Sequence, residues 1–235
     1  MIQLINGDCY QEIKKIPDKS IDLIVTDPPY EIKGLHIGTG ILKKRKPGNY
    51  VHQMMSSNLG DGIDLKLMGE FVRVLKNIYI YIWCNKEQIY DYLTYFVKEQ
   101  GCNFEIIIWH KTNVPPFTNG HYLKDKEYCL MFWEQGAKIN GTYETMGTVY
   151  RSTTNVKDKE LYERPTIKPL NIIENLIKNS SAPGDTVLDC FMGSGTTGVA
   201  CRNLDRNFIG IEIDQKYFDI AKRRIETQVQ QTQLF

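Results

Sequence analysis

Apolar residues along this chain alternate between compact blocks and longer stretches in which they return every three or four positions. The blocks at residues 2–5, 21–26, 78–83, 103–110, 126–133, 185–189 and 207–212 read as strands. Runs of this length between turn-forming residues suit a buried pleated surface. Helical spacing falls at residues 10–16, 63–76, 87–99, 170–179, 196–204 and 215–226. Gly101 is well placed to end the third of these helices and Pro169 to open the fourth. Strands alternating with helices predict an α/β domain built on a parallel-rich sheet. The connection into residues 126–133 is short enough to permit an antiparallel pairing with the preceding strand.

The two ends of the chain complement each other. Strand 185–189, a glycine turn, a helix, strand 207–212, a second helix and then strand 2–5 make a βαβαβ series once the ends are joined. That is the pattern of a cofactor-binding half cut open by circular permutation. Residues 31–62 and 134–164 carry no regular pattern, and loops of such length in a compact domain are usually functional or mobile. The first is expected to be a mobile loop.

Composition narrows the class. A chain of 235 residues with 42% hydrophobic content can bury the core of one α/β domain. The net charge of +1 does not announce a nucleic-acid binder, so any basic footprint must be local. No basic segment followed by a long apolar core opens the chain, so no signal peptide is expected. No stretch approaches the length of a membrane span. The six cysteines form no Cys-x-x-Cys pair and only four histidines are present, so no metal site is expected and the cysteines read as small core residues in a reducing cytoplasm.

Two short motifs carry candidate chemistry. Asp27-Pro28-Pro29-Tyr30 closes the run 21–26, at the end of a strand where α/β sheets place ligands. An exocyclic amine on a nucleobase is a poor nucleophile because its lone pair is delocalised into the ring. Asp27 can accept one N–H of such an amine and the Pro28 carbonyl the other, which localises the lone pair. A fixed carboxylate also meets the positive charge that grows on nitrogen, and Tyr30 can stack on a base that has left the duplex. A plain Asp-Pro-Pro turn is the alternative.

Downstream, Val187-Leu188-Asp189 leads into Phe191-Met192-Gly193-Ser194-Gly195-Thr196-Thr197-Gly198 and a helix, with Glu212 ending the next strand. This also satisfies the dinucleotide fingerprint, but too little chain follows for a complete dinucleotide fold. Read for S-adenosylmethionine, Gly193 and Gly195 allow close approach of the amino-acid end, in a turn shared by Phe191, Ser194 and Thr196. Glu212 would take the ribose hydroxyls, and Asp8 would lie near the adenine. No Gly-Lys-Ser/Thr ending follows, in keeping with a ligand that brings no phosphate. Asp8 could instead cap the helix that starts at residue 10.

The order of the motifs, DPPY before Phe-x-Gly-x-Gly, resembles the amino-methylating DNA methyltransferases of the permuted β class, over nearly the whole chain. The resemblance implies one methyltransferase domain over residues 1–235. Its fold would be Rossmann-like and S-adenosylmethionine-dependent: a seven-stranded mixed sheet with helices on both faces and the last-but-one strand reversed. Arg164-Pro165-Thr166-Ile167-Lys168-Pro169 is similar to the family's His-Pro-Thr-Gln-Lys-Pro segment at the methionine end of the cofactor. Arg164 and Ile167 depart from it, so Thr166 and Lys168 carry over. A proline-started helix is the alternative there. Trp109-His110-Lys111-Thr112-Asn113 is similar to a segment near the target base, which makes Trp109 a DNA candidate, with a core tryptophan as the alternative. Lys43, Lys44, Arg45 and Lys46 could meet phosphates or form a solvated basic loop. Residues 134–164 read as a short target-recognition insertion, suggesting a short site or help from a second subunit in a homodimer. The implied reaction moves methyl to N6 of a flipped adenine in double-stranded DNA.

Cytosine N4 is the alternative target, because Asp in the first motif position is commoner for adenine and Ser for cytosine. The family leaves a cognate restriction endonuclease open as a partner, and with no apolar stretch of spanning length no membrane partner is expected. Methylases of protein glutamine or RNA amines usually show the two motifs in the opposite order. A non-catalytic DNA-binding subunit would be expected to lose Asp27 or the glycines, and both are intact. A nicotinamide oxidoreductase is the last alternative for the glycine turn.

Overall fold

A computed structural model describes residues 1–30, 63–114, 120–137, 139–154 and 167–232. The elements are β1 (Ile2–Asn6), a short helix α1 (Cys9–Glu12) continued by a 3-10 turn (Ile13–Lys15), β2 (Leu23–Thr26), α2 (Leu65–Val74) and β3 (Tyr79–Cys84). There follow α3 (Ile89–Leu93), which runs into a π-helical segment (Thr94–Glu99), then β4 (Asn103–Lys111), β5 (Lys126–Trp133) and β6 (Val149–Ser152). The last are α4 (Leu170–Ser180), β7 (Thr186–Asp189), α5 (Thr196–Asn203), β8 (Asn207–Glu212) and α6 (Gln215–Thr232).

The strands form one sheet in the order β1-β8-β7-β2-β3-β5-β4-β6. From β1 to β3 every neighbouring pair is parallel, whereas β5 runs antiparallel to both β3 and β4. The reversed strand is thus the one whose short connection permitted it. β1 lies beside β8 with Ile2 opposite Phe208 and Asn6 opposite Glu212, so the two ends of the chain do complete one half of the sheet.

Side chains alternate across each strand, and both faces are covered. On one face Ile24, Ile80, Ile82 and Leu188 pack with Leu67 and Phe71 of α2 and with Tyr92 and Phe96 around α3. On the other, Leu23, Val25, Tyr81, Trp83 and Val187 pack with Ile172 and Leu176 of α4, Val199 of α5 and Ile225 of α6. β2 and β3 are buried along their whole lengths, which explains why they read as continuous apolar runs. All six cysteines are buried and unpaired. Among the described residues no helix is long and apolar enough to cross a membrane.

The sheet has eight strands where the sequence predicts seven. The extra one, β6, lies within the patternless stretch 134–164 and pairs in parallel with β4 at the sheet edge. It is four residues long and has no fully buried position, so it leaves no apolar block to detect. Gly101 adopts φ +70° and its N–H bonds back to the Val97 carbonyl at 3.2 Å, ending the helical stretch as expected. Pro169 sits at the N-cap of α4.

Gly195 has φ +80°, and a Cβ there would stand 3.0 Å from the Ala221 Cβ and 3.1 Å from its Cα. The absence of a side chain therefore lets α6 approach the turn. Gly198 is similar: a Cβ would stand 2.8 Å from the Phe208 ring. Gly195→Val is expected to lower folding stability by roughly 2–5 kcal/mol through left-handed strain and overpacking. A urea midpoint equal to that of the wild type would show that α6 yields to the new side chain.

Candidate active site

The parallel strands β2, β3, β7 and β8 all end at one edge of the sheet, and the candidate residues gather there. Asp27-Pro28-Pro29-Tyr30 leaves the end of β2, and the glycine turn leaves the end of β7. Between them lies an open cavity bordered by Asp27, Trp83, Lys168, Phe191, Ser194 and Thr196 among others.

Asp189, the last residue of β7, joins the two motifs. Its buried carboxylate accepts from the Thr26 hydroxyl at 2.9 Å, the Thr197 hydroxyl at 2.7 Å and the Phe191 N–H at 3.1 Å. Burial pushes its carboxyl up to about 6, against those bonds, which favour the charged form. An acid whose folded-state value is raised holds its proton more tightly when folded, so acidification from about 6 towards the ordinary value of 3.8 stabilises the fold. Asp189→Asn removes that titration. Between about pH 7 and about pH 4.5 the wild type is expected to gain stability over the variant on the order of 2 kcal/mol. Paired urea titrations measure this, and a flat difference would place Asp189 in the ordinary carboxylate range.

The turn is fastened from two sides. The Gly193 N–H donates to Glu212 Oε2 and the Asp214 N–H to Glu212 Oε1, each at 2.9 Å. From α6 the buried Arg224 donates to the Ser194 carbonyl at 3.2 Å and the Thr196 hydroxyl at 2.9 Å. Glu212 is thus both the acid at the end of β8 and a brace for the turn. Asp8 caps α1, accepting the Tyr10 N–H at 3.0 Å.

The DPPY motif is held by a second set of groups. Gln88, buried just before α3, donates to the Pro29 carbonyl at 3.2 Å. Lys168, whose side chain is 6% exposed, donates to Asp27 Oδ2 at 2.5 Å and to the Tyr30 hydroxyl at 3.1 Å. It also pairs with Glu127 of β5 at 3.1 Å, and Lys111 of β4 pairs with Glu127 at 2.6 Å. Burial alone would push the Lys168 ammonium down, but Asp27 and Glu127 outweigh it and hold it above the usual lysine range. Burial likewise opposes charge on Glu127, yet Lys168 and Lys111 hold its carboxyl down at about 2. Burial, reinforced by Asp27 and Glu127, keeps the Tyr30 hydroxyl protonated. Among the described residues Asp27 Oδ1 and Trp83 Nε1 are buried without a hydrogen-bond partner. Both residues border the cavity.

The structure therefore brings together Asp27, Pro28, Pro29, Tyr30, Lys168, Phe191, Gly193, Ser194, Gly195, Thr196 and Glu212. Trp109 does not join them as a surface residue. It is 2% exposed, packs in the core and donates its indole N–H to the Ser152 hydroxyl at 2.8 Å. The core alternative is the one the structure shows. Thr166 and the run Lys43, Lys44, Arg45 and Lys46 lie outside the described residues. Sequence reasoning missed Glu127, Lys111, Asp189, Gln88 and Arg224 as site residues. The one available signal was Glu127, a lone acid in the apolar strand 126–133.

A glycine turn braced by an acid on one side of a cavity, and an unpartnered acceptor on the other, suit transfer of a group from an adenosine-type cofactor to an amine. The chain belongs to the N6/N4 DNA methylase family, whose sequence profile matches residues 21–223. It is 32% identical over 247 residues to the type II methyltransferase M.HinfI of Haemophilus influenzae, spanning 94% of this chain and 67% of that protein. It is 30% identical to the type II methyltransferase M.HpaI of Haemophilus parainfluenzae, spanning 96% of this chain and 74% of that one. The crystal structure of the M1.HpyAVI complex with S-adenosylmethionine superposes with a TM-score of 0.70 at 29% identity, covering 96% of this chain and 99% of the other. The cytosine-N4-specific PvuII DNA methyltransferase shares the fold, with a TM-score of 0.66 at 18% identity, covering 95% of this chain and 86% of that one. The chain is accordingly a type II DNA methyltransferase that uses S-adenosylmethionine and acts on an amino group, N6 of adenine or N4 of cytosine.

Proposed function

We propose that the target is N6 of an adenine taken out of double-stranded DNA. The observation that carries this reading is the Asp27 carboxylate, pinned through Oδ2 by Lys168 while its buried Oδ1 has no partner among the described residues. Within the family Asp in this position is commoner for adenine than for cytosine. S-adenosylmethionine supplies the methyl group when bound, and Phe191, Gly193, Ser194, Thr196, Glu212 and Asp8 would hold it. Asp27 Oδ1 accepts one amine hydrogen and the Pro28 carbonyl the other, so the nitrogen lone pair turns out of conjugation. The carboxylate then faces the positive charge that builds as the new bond forms. Tyr30 would stack on the base, which must leave the duplex to reach it.

Residues 134–164 are proposed to take part in reading the target sequence, and Lys43, Lys44, Arg45 and Lys46 to meet phosphates. Mass spectrometry of nucleosides from the DNA of an expressing host tests the reading. The expected product is N6-methyladenine; N4-methylcytosine in its place would transfer the same geometry to the other base.

A further inference from the structure

We propose that Lys111, Glu127 and Lys168 form a positioning chain for Asp27, presenting its Oδ1 to the target amine, with Glu127 offsetting the Lys168 ammonium where positive charge develops. The inference rests on the assignment of Asp27 as acceptor of the target amine.

The four groups come from four places in the fold. Lys111 ends β4, Glu127 stands near the start of β5, Lys168 precedes α4 and Asp27 follows β2. They connect in series, with Lys111 to Glu127 at 2.6 Å, Glu127 to Lys168 at 3.1 Å and Lys168 to Asp27 at 2.5 Å. An ammonium has three hydrogens, and Lys168 has three acceptors for them in Asp27, Glu127 and Tyr30. Its position is set further by the Trp83 ring, 5.1 Å from Nζ. An ammonium so engaged has little freedom to swing, and its short charge-assisted bond fixes the plane of the Asp27 carboxylate. That leaves Oδ1 as the oxygen still in need of a donor. A buried acceptor without a donor is costly, and an amine N–H arriving from the cavity removes the cost.

The charges matter as much as the geometry. An ammonium beside the reacting nitrogen opposes the positive charge that develops there, and it would cancel the Asp27 carboxylate. Glu127 offsets that ammonium; Asp27, Lys168 and Glu127 sum to one negative charge, and Lys111 at the far end of the series brings the four groups to zero. Lys111 sits at the far end with its side chain 17% exposed. It steadies Glu127 from the end of the series farthest from Asp27. The ionised state of Glu127 and the charged state of Lys168 described above are the states this arrangement needs.

Glu127→Gln, Lys168→Met and Lys111→Met test the chain in the full-length protein. Single-turnover methyl transfer to unmethylated duplex DNA is measured beside the S-adenosylmethionine Kd, the KM for DNA and the melting temperature. Glu127→Gln keeps the side-chain shape and is expected to slow transfer roughly tenfold to a hundredfold. Lys168→Met should slow it at least as much and Lys111→Met less, with cofactor Kd and KM within a factor of about three of the wild type. A wild-type rate in Glu127→Gln overturns the proposal. So does a rate loss matched by equal losses of cofactor affinity and melting temperature, the signature of a merely structural role. If Lys168→Met fails to fold, the other two variants decide. Asp27→Ala is run in parallel. Activity retained there would defeat the assignment of Asp27 itself, whereas an inactive Asp27→Ala with a fully active Glu127→Gln defeats the positioning chain alone.

Discussion

Asp27→Ala is expected to slow methyl transfer by at least about a hundredfold to a thousandfold, the scale on which removal of one preorganised charge-stabilising group acts. S-adenosylmethionine affinity should stay within a few-fold, because Asp27 stands across the cavity from the turn that Glu212 and Arg224 fasten. The substitution also takes one acceptor from Lys168, which keeps Glu127 and Tyr30. Asp27→Asn is the companion variant, since it retains shape and one acceptor while losing the charge. It should fall between the wild type and Asp27→Ala if both geometry and charge contribute. Substantial turnover by Asp27→Ala, read with radiolabelled cofactor, would remove Asp27 from the reaction.

Glu212→Ala should weaken S-adenosylmethionine binding by roughly 1.5–3 kcal/mol, the worth of hydrogen bonds to a charged group. The structure gives this variant a second consequence. Glu212 accepts the N–H groups of Gly193 and Asp214 through different oxygens, so its loss also loosens the turn that meets the cofactor. Glu212→Gln preserves one acceptor oxygen and should bind more tightly than Glu212→Ala. Calorimetry that found wild-type affinity in both variants would move the cofactor away from this turn.

Much of the fold was legible because its central strands are buried on both faces, so that residues 21–26 and 78–83 stand out as apolar blocks. The reversed strand was legible only as a pairing that its connection permitted. β6 was not, since four partly exposed residues at an edge carry no periodicity. The two motifs were legible because their turns demand particular residues. What supports them was hidden by distance along the chain: Lys168 and Asp27 lie 141 positions apart, and no local pattern joins them. The resemblance had assigned Lys168 to the methionine end of the cofactor. It does border the cavity, but its ammonium is engaged by Asp27, Glu127 and Tyr30. Trp109 misled for a different reason. A strand end near the site looks alike in sequence whether its large side chain faces the ligand or the core, and only sheet register separates the two.

The pairing of β1 with β8 fixes when the enzyme can first bind its cofactor. Ile2 meets Phe208 and Asn6 meets Glu212, so a strand from the start of the chain must wait for one near its end. Proteins are synthesised from the N-terminus at a few residues each second, and contacts this distant in sequence are slow to close. The strands β2, β3, β4 and β5 all leave the ribosome before β7 and β8 do. A nascent chain therefore holds the DPPY motif for some time without the turn that would supply a methyl donor. In the finished sheet the last two strands, β7 and β8, stand between β1 and β2, so the two motifs meet only after both have been made.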